Sequence, residues 1–143
     1  MKRLSKTAFY LLSWTWGLPM TLIGAITMLI LMIGGKKPKR WGYCYYIEVG
    51  KDWGGLELGM FFLTNEHAST HTKCHEYGHG IQNCYFGFLM PFLVTIPSAI
   101  RYHHRNHLYN KGIRPKTAYD DIWFEGQATK LGTDYFCGGP EVW

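Results

Sequence analysis

The chain of 143 residues has room for one compact domain, and its 47% hydrophobic and 17% aromatic content excludes a disordered polypeptide. A formal charge of +5 would suit nucleic acid, but the basic residues flank a long uncharged run, which argues for a membrane and against nucleic acid as partner. The four cysteines, Cys44, Cys74, Cys84 and Cys137, form no CxxC pair; this excludes a zinc ribbon or thioredoxin-like motif and is met by free, mostly buried thiols.

Residues 7 to 35 carry no charge, and Lys2, Arg3 and Lys6 precede them while Lys36, Lys37, Lys39 and Arg40 follow. The segment Phe9 to Ile33 spans roughly 37 Å as a helix, more than the roughly 30 Å of a bilayer core. Trp14 and Trp16 stand near one end as interfacial anchors, and Pro19 is a kink point. The apolar run is too long for a signal peptide and lacks a small-residue cleavage site, so residues 1–35 read as a retained membrane anchor. The denser downstream basic cluster places the bulk of the chain on the cytoplasmic side.

Residues 36–42 read as a basic linker and 43–143 as the remaining domain. YCYYIEV and LELGMFFL, separated by the turn GKDWGG, are consistent with a short β element at 43–63. The spacing predicts a helix over 70–86, capped by Thr70 or Thr72. An uncharged stretch at 81–100, interrupted by Pro91 and Pro97, is apolar enough for a buried helix, a re-entrant segment or a second crossing. RYHHRNHLYNKGIRPK reads as a basic loop. A last helix is expected over Ala118 to Leu131, capped by Thr117, with Asp120 and Asp121 in its first turn and Gly132 past its end; the tail from Asp134 reads as irregular.

His75-Glu76-Tyr77-Gly78-His79 is an HExxH. On a helix the two histidines share a face and can point at one zinc ion. Glu76 is turned off that line, placed to take a proton from water activated at the metal. Gly78 and Gly80 weaken the helix, a cost that makes sense where another backbone or a substrate comes close. Gln82 and Asn83 extend its polar side. A catalytic zinc needs a third ligand. His67 and His71 upstream, and His103, His104 and His107 downstream, are candidates. Glu125 is favoured, because it lies past the expected first turn of the last helix and among Trp123, Phe124, Ala128 and Leu131, where a carboxylate needs a partner.

HEYGHGIQN, FGFLMPFLVTIPS and DIWFEGQATKLG together resemble the gluzincin-type zinc metallopeptidases, and more closely small bacterial membrane proteins with an HEyGHxxQ motif. The resemblance covers roughly residues 52 to 132. It implies His75, His79 and Glu125 as zinc ligands and Glu76 as general base. The chain departs from the pattern at Thr129, four residues after Glu125, where such families usually carry an Asp that supports a ligand histidine; Asp121 is a substitute one turn earlier.

The expected fold is mainly α: an N-terminal transmembrane helix, single-pass or two-pass, with a small helical zinc-binding domain. The expected function is membrane-associated, zinc-dependent hydrolysis of a peptide bond in a peptide or protein substrate. Tyr102, His103, His104 and Tyr119 are candidates for stabilising the oxyanion. One alternative is a non-catalytic membrane protein with a structural or decayed zinc site, its fourth position closed by a histidine or Cys74. Another is a basic membrane-surface module that recruits anionic partners through Lys36 to Arg40.

Overall fold

The computed structural model describes residues 4–136 and is mainly helical with one small sheet. Lys2, Arg3, Cys137 and the rest of the tail beyond 136 lie outside the described residues.

The single helix expected over 9–33 is two, α1 (Lys6–Trp14) and α2 (Leu18–Ile33), bent by 91°. The break follows from local chemistry. Thr15 leaves the helical region at φ −122, ψ −84. Gly17 seats directly on Asn83, whose amide donates to the Gly17 carbonyl at 3.2 Å. The Trp16 indole donates to the Tyr85 carbonyl at 3.1 Å. Pro19 falls in the first turn of α2, where no amide proton is needed; it starts a helix instead of kinking one.

Part of the expected linker is strand. The sheet comprises β1 (Lys39–Trp41), β2 (Cys44–Glu48), β3 (Gly55–Leu58) and β4 (Phe61–Thr64), in the order β1-β2-β4-β3. β1 and β2 form a hairpin, as do β3 and β4, while β2 and β4 run parallel. Thus β3 is an edge strand. Gly59 turns the second hairpin at φ 71, a backbone state that favours glycine.

α3 (Thr70–Phe86) lies against this sheet, buried from Cys74 to Cys84. Its cap is Ser69, one residue before Thr70 and three before Thr72, the two expected caps; its hydroxyl accepts from the Thr72 amide at 3.1 Å. After it come a 3-10 turn (Gly87–Leu89), a π-helical turn (Pro91–Thr95) and α4 (Ile96–Asn110), bent by 116° from the α3 direction. The first ten residues of the expected basic loop are therefore helix. Their cations bind carbonyls: Arg101 donates to Ala118 and Tyr119, and Arg105 to Thr117.

The last helix, α5 (Trp123–Phe136), begins later and runs further than expected. A 3-10 turn at Tyr119–Asp121 precedes it, and Asp121 accepts from the Ala118 amide at 2.8 Å. Gly132 lies inside α5, against the Cys74 backbone, and Gly78 of α3 lies against the backbone of Ala128. Glycine in both helices lets α3 and α5 cross at backbone contact.

Two apolar clusters hold these layers. One gathers Phe9, Tyr46, Phe62, Tyr77, Ile81 and Leu131; the other gathers Met20, Leu58, Met90, Val94 and Phe124. Among the described residues no single helix is long and apolar enough to cross a membrane. The two bent pairs, 6–33 and 70–110, have the length and composition.

Candidate metal centre

The α3–α5 crossing brings His75, His79 and Glu125 together. All three are buried, and their ligand atoms lie within 4.8 Å of one another. His75 Nε2 is 3.0 Å from Glu125 Oε2, His79 Nε2 is 3.1 Å from the same oxygen, and the two Nε2 atoms are 3.1 Å apart. Three ligands at about 2.0–2.1 Å from a tetrahedral ion stand roughly 3.3 Å apart. The triangle is close to that size. Its corners are all electron-rich atoms, which need a cation or proton between them.

Outer partners aim each candidate ligand. His79 Nδ1 is 2.7 Å from Gln82 Oε1, and Gln82 Nε2 donates to the Phe124 carbonyl and to Gln127. The Phe124 carbonyl fixes which end of the amide is NH2, so His79 Nδ1 carries the proton and Nε2 faces the site. His75 Nδ1 is 2.8 Å from Thr129 Oγ1, and that hydroxyl donates to Asp120 Oδ2 at 2.7 Å. Ser98 donates to Glu125 Oε1 at 2.5 Å, leaving Oε2 for the two imidazoles.

The electrostatics agree. Burial alone would raise Glu125, but hydrogen bonds from His75 and His79 hold its carboxyl well below the usual range. Burial alone would lower His79, yet Glu125 and neighbouring carboxylates carry it up to about 9, so a metal arriving at neutral pH competes with a proton. Glu76 is raised by burial, against the pull of His75 and His79.

A cavity of about 510 Å³ opens onto His75 and His79, with Glu125 fully buried behind them. Its walls come from the segment 53–57, from α3 with His75, Glu76 and His79, from residues 94–103, and from Tyr119 and Asp120. Gly55 faces Glu76, whose carboxylate fills the space where a side chain at 55 would stand. Tyr102 closes one side by donating to the Trp53 carbonyl at 2.5 Å. Tyr119 also lines it: its hydroxyl is 3.3 Å from Ser98 Oγ, and burial pushes its phenol well above the ordinary range, so it remains a donor.

Other sequence candidates fall elsewhere. His67 is exposed in the loop before α3; His104 and His107 are exposed on α4. His71 and His103 reach only the cavity rim. Glu125 is in the first turn of its helix, not past it, so its burial and partners single it out and its position does not. The supporting carboxylate is Asp120 acting through Thr129; Asp121 is used in the turn before α5. Ser98 and Glu57 were not singled out by the sequence. Ser98 could have been noticed as one of two hydroxyls in the apolar run 90–100.

No family model, curated protein or solved structure matches the chain.

Proposed function

We infer that the chain is a membrane-associated zinc metallopeptidase of gluzincin-like design. The observation that carries this reading is the buried His75–His79–Glu125 triangle, whose two histidines line a cavity that Glu76 also lines. Two imidazoles and one carboxylate suit zinc, and among the described residues no fourth His, Cys, Asp or Glu joins the group, which leaves a coordination position for chemistry. This favours a catalytic over a structural zinc.

Zinc bound there supplies Lewis acidity, polarising a carbonyl and acidifying water. The protein's own residues do the rest. Glu76, buried and of raised pKa, takes the proton from the attacking water and delivers it to the departing amine. Tyr119 donates to the carbonyl oxygen as negative charge develops there. Gln82 and the Thr129–Asp120 pair hold the imidazoles in the tautomer that ligates.

The test is metal content of the purified full-length protein together with proteolysis of a peptide library. About one zinc per chain, lost in Glu125→Ala, and chelator-sensitive cleavage are expected. Zinc retained undiminished by Glu125→Ala would remove the ligand assignment.

A further inference from the structure

Residues 92–103, which run from the π-helical turn into α4, have two unlike faces. Val94, Ser98 and Ala99 line the cavity. Phe92, Ile96 and Ile100, spaced four apart on the other side, are 69%, 49% and 64% exposed. This wall is one helix thick.

α2 has the same inverted polarity. Its buried side is Met20, Thr21, Gly24 and Met28, whereas Leu22, Ile26, Leu29, Ile30 and Ile33 are exposed. A helix in water puts its polar residues outward. The segments that carry these faces are neighbours: α2 packs on the turn at 87–89, and the exposed Trp16 and Phe88 rings are 5.6 Å apart. Scattered exposed apolar residues are ordinary, but a contiguous surface of this kind is not. Exposed Lys36, Lys37, Lys39 and Arg40 follow the end of α2, and half-exposed Trp14, Trp16 and Trp123 suit a headgroup layer.

We propose that α2, the turns at 87–95 and the first half of α4 lie in one leaflet of an anionic bilayer, and that the cavity behind α4 receives a membrane-anchored polypeptide. The substrate class rests on the peptidase reading; the lipid surface does not. With α2 and 87–100 in the leaflet, only one helix separates lipid from the cavity, so a polypeptide held there by its anchor reaches the site with the residues next to that anchor. The apolar wall residues Val94 and Ala99 suit the part of the chain next to the anchor.

Two measurements test this on full-length protein in phosphatidylcholine–phosphatidylglycerol vesicles. First, a lipid-soluble diazirine is photolysed and the labelled residues are read by mass spectrometry. Label should concentrate in 22–33 and 88–100 and spare 39–64. Even labelling, or none in 88–100, overturns the surface, whatever the metal content. Second, a fluorogenic peptide library is compared with the same library carrying a palmitoyl chain. The acylated form should be cut at least about tenfold faster. Ile100→Lys, remote from the cavity, should erase that preference while zinc content and cleavage of the free peptides stay unchanged. Equal rates on both libraries overturn the substrate class. Zinc-loaded protein that cuts neither overturns the peptidase reading and this substrate with it, leaving the labelling result to decide the surface.

Discussion

The hydroxyl of Thr129 stands 2.8 Å from Nδ1 of His75 and passes its own proton toward Asp120. A direct His75–Asp120 contact is weaker, 4.0 Å between Nδ1 and Oδ1. Threonine therefore acts as a one-atom extension that brings a carboxylate from the turn before α5 to a histidine on α3. The direction of the chain settles the imidazole tautomer: Nδ1–H donates to Oγ1, Oγ1–H donates to Asp120, and Nε2 is left to bind.

Thr129→Val keeps the shape and removes the hydroxyl. The expected result is about a 10- to 100-fold loss of zinc affinity, the usual scale for removing an outer partner of a ligand. Thr129→Ser should restore most of it. Chelator competition measures both. Unchanged affinity in Thr129→Val would show that Asp120 reaches His75 without the relay.

The α3–α5 crossing sets the triangle, and Gly78 sets the crossing. A methyl group at 78 would run into the Ala128 carbonyl. Gly78→Ala removes a helix-weakening residue, which on propensity alone stabilises by up to about 1 kcal/mol. The backbone clash should outweigh that and destabilise by roughly 1–3 kcal/mol. Thermal melting of the chelated protein is expected to show the loss, and zinc affinity should fall in parallel. An increase in Tm would mean the helices can separate without cost.

Glu57 gives a pH test of the metal-free protein. Burial raises its carboxyl to about 8, against the pull of His79 and its hydrogen bond from the Gly59 amide. A carboxyl raised in the folded state binds its proton more tightly there than in the unfolded chain. Stability is full below the ordinary carboxylate range and declines as pH rises toward about 8, by at most about 1.4 kcal/mol per pH unit. Glu57→Gln mimics the protonated form. With chelator present, its Tm should match wild type near pH 4 and exceed it near pH 8.5. Parallel curves for the two proteins across that range would remove Glu57 as the cause.

The three residues that the structure gathers as a possible metal site were legible in the sequence. His75 and His79 are four apart on one helix, and Glu125 sits in an apolar setting that a carboxylate tolerates only with partners. The outer partners were partly hidden. Gln82 lies on the same helix, three residues after His79, and was within reach of a periodicity argument. Asp120 was not, because its contact with Thr129 depends on where the 3-10 turn ends and α5 begins. Composition misled at two places. The basic run after Ile100 reads as loop until its arginines are seen to bind the carbonyls of 117–119. The uncharged run 9–33 reads as one helix until Gly17 is seen packed on Asn83, a tertiary contact.

Glu76→Gln separates binding from chemistry. Glu76 leaves α3 about 100° around from His75 and is not part of the ligand triangle. Gln keeps the size and an acceptor oxygen, and it fits the space opposite Gly55. It cannot take a proton at neutral pH. Zinc content should stay near wild type, while peptide hydrolysis falls by roughly two to four orders of magnitude, the scale for a positioned general base. Stability of the metal-free protein should hold or rise, since the raised pKa of Glu76 marks a charge that burial disfavours. Zinc stoichiometry, hydrolysis and melting are read on the same preparations. Loss of zinc along with activity would make Glu76 a ligand or a folding residue. Zinc retained with hydrolysis unchanged would transfer the proton to another group in the cavity, and Glu57, the other buried carboxyl lining it with a raised pKa, is the first to substitute next.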